Sequence, residues 1–396
     1  KPTTVTGAGA ASFEFNVTDP NYKFPQVWRA NLAVDRKLPG GITSTTEFLY
    51  NRDVNGVYYI NANLPAAQTA FTGVDARPRW TSNRINNTSP IITAAYVMKN
   101  QNIGRSWNFS QMLSNTAYHG LTVKGAYSYG ITRNTIDPGS NASGSWLGNE
   151  MASDPNNPGL GVANSAQGHR VFAQVSYSRQ YFGFGSTTIS TFFEAKPSFP
   201  NFSTTASYVF AGDMNGDGAS GNDLIYIPRN TSEMNFVAFT AGGVTFTPEQ
   251  QAAAFEAYIN QDKYLSKHRG DYAERGGVWY PMVKRMDLSI TQDVFHNIAG
   301  KRNAGQFRID FTNFGNLLNH NWGVSQRLVV PVTAANGAQI LTNPAVDAQG
   351  RASYRLAVAS GQLVTKSFQT NTLINSNQTS GSDVFLFLLS FRYSFN

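Results

Sequence analysis

The stretch that decides the fold is Val384-Phe-Leu-Phe-Leu-Leu-Ser-Phe-Arg-Tyr-Ser-Phe395. Phe385, Phe387, Leu389, Phe391, Tyr393 and Phe395 fall on one face of an extended chain, and every one is apolar or aromatic. Leu386, Leu388, Ser390, Arg392 and Ser394 fall on the other, which turns polar toward its end. Side chains alternate with period two in a strand, so this predicts a strand with lipid on one side and a wetter space on the other. The same alternation runs through Met282–Phe295, where Met286, Leu288 and Ile290 oppose Arg285, Asp287, Ser289 and Thr291. It recurs in Phe307, Ile309 and Phe311 against Arg308, Asp310 and Thr312, and in Trp28, Ala30, Leu32 and Val34 against Arg29, Asn31 and Asp35.

Nine such segments are predicted, near 25–37, 41–51, 105–116, 119–131, 168–181, 185–197, 281–295, 306–315 and 384–395. Each is close to the ~10 residues a tilted strand needs to cross a bilayer. Short links at Leu38–Gly40, Ser114–Tyr118, Phe182–Phe184 and His296–Gly305 alternate with long ones at 52–104, 132–167, 198–280 and 316–383. Outer-membrane barrels sort their connections in this way, with short periplasmic turns and long external loops; a soluble sandwich has no reason to. The expected fold is therefore all-β, a transmembrane antiparallel β-barrel with long extracellular loops and one short loop helix. An odd number of strands leaves an open sheet with edges in lipid, so further strands are expected from an upstream remainder of the same protein. Residues 1–24 read as an external loop and 25–396 as strands and loops, with no plug domain.

Composition agrees. Of 396 residues, 13% are aromatic and only 14% charged, against roughly 25% charged in soluble domains. No run approaches ~18 apolar residues, so no membrane helix is expected. The absence of Cys excludes disulfides and thiolate sites. The net charge of +7 is dispersed, without the basic block that a nucleic-acid partner would require. Lys1–Ser12 lacks a signal-peptide pattern.

Several stretches resemble the C-terminal barrel of TonB-dependent receptors, in particular the Oar-like subgroup related to SusC-like transporters. They are Phe24-Pro-Gln-Val-Trp-Arg-Ala-Asn-Leu-Ala-Val-Asp35, Asp213-Met-Asn-Gly-Asp-Gly-Ala-Ser-Gly-Asn-Asp-Leu-Ile-Tyr-Ile-Pro228, Gln261-Asp-Lys-Tyr-Leu-Ser-Lys-His-Arg-Gly270 and Asp310-Phe-Thr-Asn-Phe-Gly-Asn-Leu-Leu-Asn319. The terminal Phe391, Tyr393 and Phe395 resemble the aromatic signal read by the barrel-assembly machinery, although the chain ends in Asn396. The resemblance implies a barrel of roughly 22 strands, of which these are the last nine. It implies plug-gated movement of a large or scarce solute (peptide, glycan or chelate), driven by the TonB complex through a plug not present in this sequence. A surface lipoprotein partner, as in SusC-like systems, would fit. Import and export stay open. The competing classes are a surface adhesion or structural barrel and a passive porin.

Few motifs carry chemistry. Asp213, Asn215 and Asp217, followed by Gly218, match the opening of a calcium loop. Position twelve is Leu224 where an acid belongs, with Asp223 one residue early. The alternative is a turn held by its own side chains. Calcium, if bound, would stiffen an external loop. Thr247-Pro-Glu-Gln250 is a capping box opening a helix that continues from Ala252 to Tyr264, either a lid or a packing element. The loop residues Trp80, Trp146 and Trp279 are candidate substrate platforms. Trp107, Phe109, Tyr127, Tyr129, Tyr177 and Phe193 read as lipid-facing aromatics, and the inward charges as paired. Nothing marks a catalytic site: His119, His169, His268, His296 and His320 stand apart, and no nucleophile elbow or phosphate loop is present, so no enzyme is expected.

Overall fold

The computed structural model describes residues 12–88, 91–115, 118–181, 185–197, 203–297, 303–333, 337–343, 345–370 and 383–395. The chain is mainly β, 54% strand and 10% helical. No helix among the described residues is long and apolar enough to cross a membrane. Fifteen strands and two helices position everything discussed below. They are β1 (Ser12–Thr18), β2 (Gln26–Leu38), β3 (Ile42–Asn61), β4 (Ile91–Gln101), β5 (Arg105–Asn115), β6 (Leu121–Asn134), α1 (Ala142–Leu147), β7 (Gly168–Gln180), β8 (Ser186–Pro197), β9 (Thr205–Ala211), α2 (Pro248–Gln261), β10 (Val278–Trp279), β11 (Met282–His296), β12 (Asn303–Thr312), β13 (Gly337–Thr342), β14 (Arg355–Leu356) and β15 (Leu386–Phe395).

All nine predicted segments are strands, and they pair in chain order. β2 pairs β3, then β5, β6, β7, β8, β11, β12 and β15 follow, every junction antiparallel. Register carries the alternation across the sheet. Leu121, Tyr177, Ile189, Ile290, Ile309 and Leu389 lie directly opposite one another in a row spanning six strands. On the reverse face Thr122, Ser176, Ser190, Ser289 and Asp310 make the parallel row, with Ser176 and Ser190 hydroxyls 2.8 Å apart. Residues directly opposite share a face, so one face is mainly apolar, with Gln111 and Gln292 among its few polar members, and the other mainly polar, with Phe172, Phe192 and Leu388 on it. All six aromatics read as lipid-facing lie on the apolar face. On the polar face Arg170 and Lys196 both pair with Glu194, at 2.7 and 2.9 Å, and Arg308 pairs with Asp310 at 2.8 Å. Among the described residues β2 has only β3 as partner and β15 only β12. These nine strands form, among the described residues, an open run with β2 and β15 at its ends, within a sheet that branches at β3 to β4 and β1.

The links also sort by end. Residues 39–41 form a single tight turn. The Phe182–Phe184 link, and parts of those at Ser114–Tyr118 and His296–Gly305, lie outside the described residues. At the opposite end the long links fold on one another. β9, β10, β13 and β14 form a second sheet. Tyr208, Phe210, Ile225, Ile227 and Phe255 are fully buried there, in a core that also takes Phe71 from the 52–104 link and Tyr354 from the 316–383 link. A smaller core joins Leu64, Trp80, Ala94, Tyr96, Trp146 and Ala219 from three links.

Four boundaries differ from those read in the sequence. β3 runs on to Asn61 instead of stopping near 51, because its upper part, Gly56–Asn61, takes β4 as a new partner. At this fork Gly56 and Gly104 leave room for the Asp53 carboxylate, which a Cβ at either position would strike. Ser12–Thr18, inside the 1–24 stretch read as loop, is a strand parallel to β4. The penultimate strand stops at Thr312. Asn313 then adopts a left-handed conformation (φ 54°) and opens a five-residue helix, Phe314–Leu318, the kind of position a short polar side chain tolerates. Finally, α2 ends at Gln261, not Tyr264. Asp262 caps it, taking the amides of Tyr264 and Leu265 at 2.9 and 2.8 Å and the hydroxyls of Tyr208 and Ser367 at 2.6 and 2.5 Å. Its backbone is extended (φ −82°, ψ 124°), which ends the helix there.

Candidate functional site

The Asp213–Asp223 loop sits between the two cores. Its glycines are required by geometry. Gly216 and Gly218 have φ of +83° and +95°, and a Cβ on Gly216 would collide with the Trp80 carbonyl. The Trp80 amide donates to the Asn215 carbonyl at 2.7 Å, holding that approach. Asp213 accepts the amides of Gly216 and Gly218 at 2.7 and 2.9 Å. Asp217 accepts the Ala219 amide at 2.7 Å and Asp223 the Met214 amide at 2.8 Å. Asn215 accepts the Asp217 amide at 2.9 Å, and its side-chain nitrogen donates to Asp217 at 3.2 Å. The four sequence-predicted oxygen donors are therefore brought together, and the loop is closed by its own hydrogen bonds. No group of three or more acidic or His side chains at metal-holding geometry occurs among the described residues. A calcium ion could use these hard oxygens, but only after the Asn215 amide rotates its nitrogen away from Asp217.

Electrostatics keep the loop under tension. Burial, followed by the neighbouring carboxylates of Asp223 and Asp213, pushes Asp217 up to about 7. Burial pushes Asp223 up to about 6 against the pull of Arg77, and burial also raises Asp213.

Arg77, which the sequence did not single out, is the cationic partner. Its guanidinium is fully buried, bonded to both Asp75 oxygens at 2.8 and 3.1 Å and 3.7 Å from Asp223. Its central carbon lies 5.2 Å from the Phe210 ring and 5.1 Å from the Tyr272 ring. Tyr272 and Tyr354 add hydroxyl bonds to Asp75 at 3.0 and 3.4 Å. Three long links thus converge on one arginine. Its only sequence signal was an Asp-x-Arg pair in a polar stretch, which is too common to read.

The three tryptophans do not form a platform. Trp80 and Trp146 are 4% and 2% exposed. Their indole nitrogens donate inward, to the Pro65 carbonyl at 2.8 Å and to Asn156 at 3.2 Å. Neither offers a face to a solute as folded; both fill the smaller core, because large aromatics on polar links are what those links have to bury. Trp279 is half-buried in β10. Phe391, Tyr393 and Phe395 line one face of the edge strand β15 and are exposed. Phe391 meets Phe307 with ring centroids 4.8 Å apart, and Phe295 and Tyr393 close over Gly305, where a side chain would clash with the Phe295 ring.

The capping box at the start of α2 is present, with Gln250 amide to Thr247 hydroxyl at 3.2 Å and Thr247 amide to the Gln250 side chain at 2.9 Å. Phe255, Tyr258 and Ile259 are buried, so the helix is a core element of the folded links and not a detached lid. Comparison with protein-family models, with curated proteins and with solved structures returned no match.

Proposed function

We propose that this chain is the C-terminal run of strands of an outer-membrane β-barrel that works as a TonB-dependent receptor, moving a large or scarce solute through a plug-gated lumen. The observation that carries the reading is the nine-strand antiparallel meander, with one face mainly apolar, the other mainly polar, and its two end strands unpaired on their outer sides among the described residues. An open edge in lipid is not viable, so strands from elsewhere in the protein close the wall. The folded links form the external surface that meets solute. Calcium bound by Asp213, Asn215, Asp217 and Asp223 stiffens that surface in the same reading, which rests on the calcium-loop spacing of these residues.

The chain contains no Cys, which makes topology directly testable. Val244, exposed in a long link, and Tyr118, exposed in a short turn, are each replaced by Cys. In intact cells a membrane-impermeant maleimide should label Val244→Cys at once and Tyr118→Cys only after permeabilisation. Equal labelling of both would overturn the membrane topology. Intact mass and N-terminal sequencing of the protein from outer membranes then test the receptor step: a plug upstream supports it, and a stand-alone chain starting at Lys1 removes it in favour of an adhesion or porin barrel.

A further inference from the structure

Charge is sorted between the two faces of the nine-strand run. Register places Glu47, Glu194, Asp287 and Asp310 on the polar face, together with Arg170, Arg285 and Arg308. No Asp or Glu of the nine strands, among the described residues, falls on the apolar face. The charges on the apolar face are all cations, and they stand at its two margins. Arg36 and Arg179 lie toward the short turns, and Arg52, Arg105, Arg133 and Lys284 toward the long links.

Three of these arginines form one row. Arg52 lies directly opposite Arg105, and Arg105 directly opposite Arg133, across β3, β5 and β6. The next row of the same face is Tyr50, Trp107 and Ile131. Trp28 packs on Tyr50 and Trp107 on Tyr129, with ring centroids 6.1 and 5.2 Å apart. Like charges directly opposite one another destabilise a sheet. Arg133 is relieved by Glu274, which reaches it from the 198–280 link. Arg52 and Arg105 have no such partner: both are exposed, and their side chains make no hydrogen bond or ion pair among the described residues. With no acid on their face of the strands, the complement of this pair is an anion from outside the fold. The aromatic row beside the pair gives that anion's apolar body a surface to lie on.

We propose that Arg52 and Arg105 together bind the phosphate headgroup of a membrane lipid whose chains lie along the apolar band, over Tyr50 and Trp107. A phosphate carries up to two negative charges and several acceptor oxygens, so one group answers two guanidinium forks. Aromatic side chains that edge an apolar band mark the level of the headgroups, and the arginine pair stands one row beyond them, where phosphates lie. The inference rests on the membrane reading above and adds to it a defined lipid partner at the margin nearest the long links.

The test titrates the full protein in maltoside micelles with dilauroyl phosphatidate, read by native mass spectrometry. Dilauroylglycerol, which lacks the phosphate, and inorganic phosphate, which lacks the chains, should each bind at least tenfold more weakly. Arg52→Gln with Arg105→Gln should weaken phosphatidate at least tenfold while circular dichroism stays unchanged. Arg52→Lys with Arg105→Lys, which keeps the charge, should retain more binding than the Gln pair. Arg36→Gln with Arg179→Gln, which removes the same charge from the opposite margin, should leave binding near wild type. Unchanged binding in the Arg52 and Arg105 Gln pair, equal loss at both margins, or equal binding of dilauroylglycerol overturns the site. Inorganic phosphate binding as tightly as phosphatidate overturns the lipid assignment in favour of a soluble phosphate. Maleimide labelling keeps the two readings apart. The expected labelling of Val244→Cys and Tyr118→Cys, with unchanged phosphatidate binding in the Gln pair, removes this inference alone; equal labelling removes the membrane reading and this inference with it.

Discussion

At the residue scale, three residues set the behaviour of the folded links. Glu150 is the pH-sensitive one. Its carboxyl is raised from the ordinary range to about 8 in the fold, so the folded state holds a proton that the unfolded chain releases above about 4.5. Stability from this group is complete below pH 4.5 and declines as pH rises toward 8. Arg275 and Asp137 face it. Glu150→Gln should therefore match wild type in Tm near pH 4.5 and exceed it increasingly up to pH 8; a constant offset would contradict the assignment. Arg77 is the pin. Replacing it with Ala leaves Asp75 and Asp223 buried without their cation, a change that typically costs about 3–5 kcal/mol. Limited proteolysis should then open the 52–104 and 198–280 links together. Gly216→Ala meets both a left-handed backbone and the Trp80 carbonyl, so it should destabilise the fold by more than ~1 kcal/mol, read as a fall in Tm.

Among the elements, the nine meander strands were legible in the sequence, whereas β1, β4 and the packing of the links were not. A period-two pattern is local, so β11 or β15 can be read from a dozen residues. The fork in β3 is not local. Its second half trades one neighbour for β4, and only Gly56 and Gly104, far apart in sequence, record the exchange. The capping box of α2 was readable because Thr247 and Gln250 are three residues apart; its end was not, since Asp262 is engaged by Tyr208 and Ser367 from distant segments. Trp80 and Trp146 illustrate the same limit. Exposure depends on what folds over a side chain, and a polar link gives no hint that it will bury its own aromatics. At this scale the apolar face of β15 makes a sharp prediction. Phe391→Asp puts a charge among Phe307 and its neighbours, at a cost in lipid below the ~2–4 kcal/mol of a midplane Arg or Lys. Protein recovered in the outer membrane should drop steeply, whereas Ser390→Asp, on the polar face, should leave it near normal. Equal recovery of the two variants would refute the facing assigned to the strand.

For the whole molecule, the two cores bind the long links into one body standing on the sheet. If calcium tightens that body through the Asp213–Asp223 loop, EGTA should lower its Tm, and Asp217→Asn should abolish the difference between calcium and EGTA; an EGTA effect that persists in the variant would place the ion elsewhere. The twenty residues of β3 also fix a height. At about 3.3 Å per residue the strand is about 63 Å long, and a tilt of about 45° gives it a rise of about 45 Å. The apolar band of such a wall is about 25 Å tall. In the proposed barrel, roughly 20 Å of the same continuous strand would stand clear of the bilayer as a mast. A solute would first meet the protein above the lipid headgroups, at the level of the surface sugars, and would descend alongside that mast to reach the lumen.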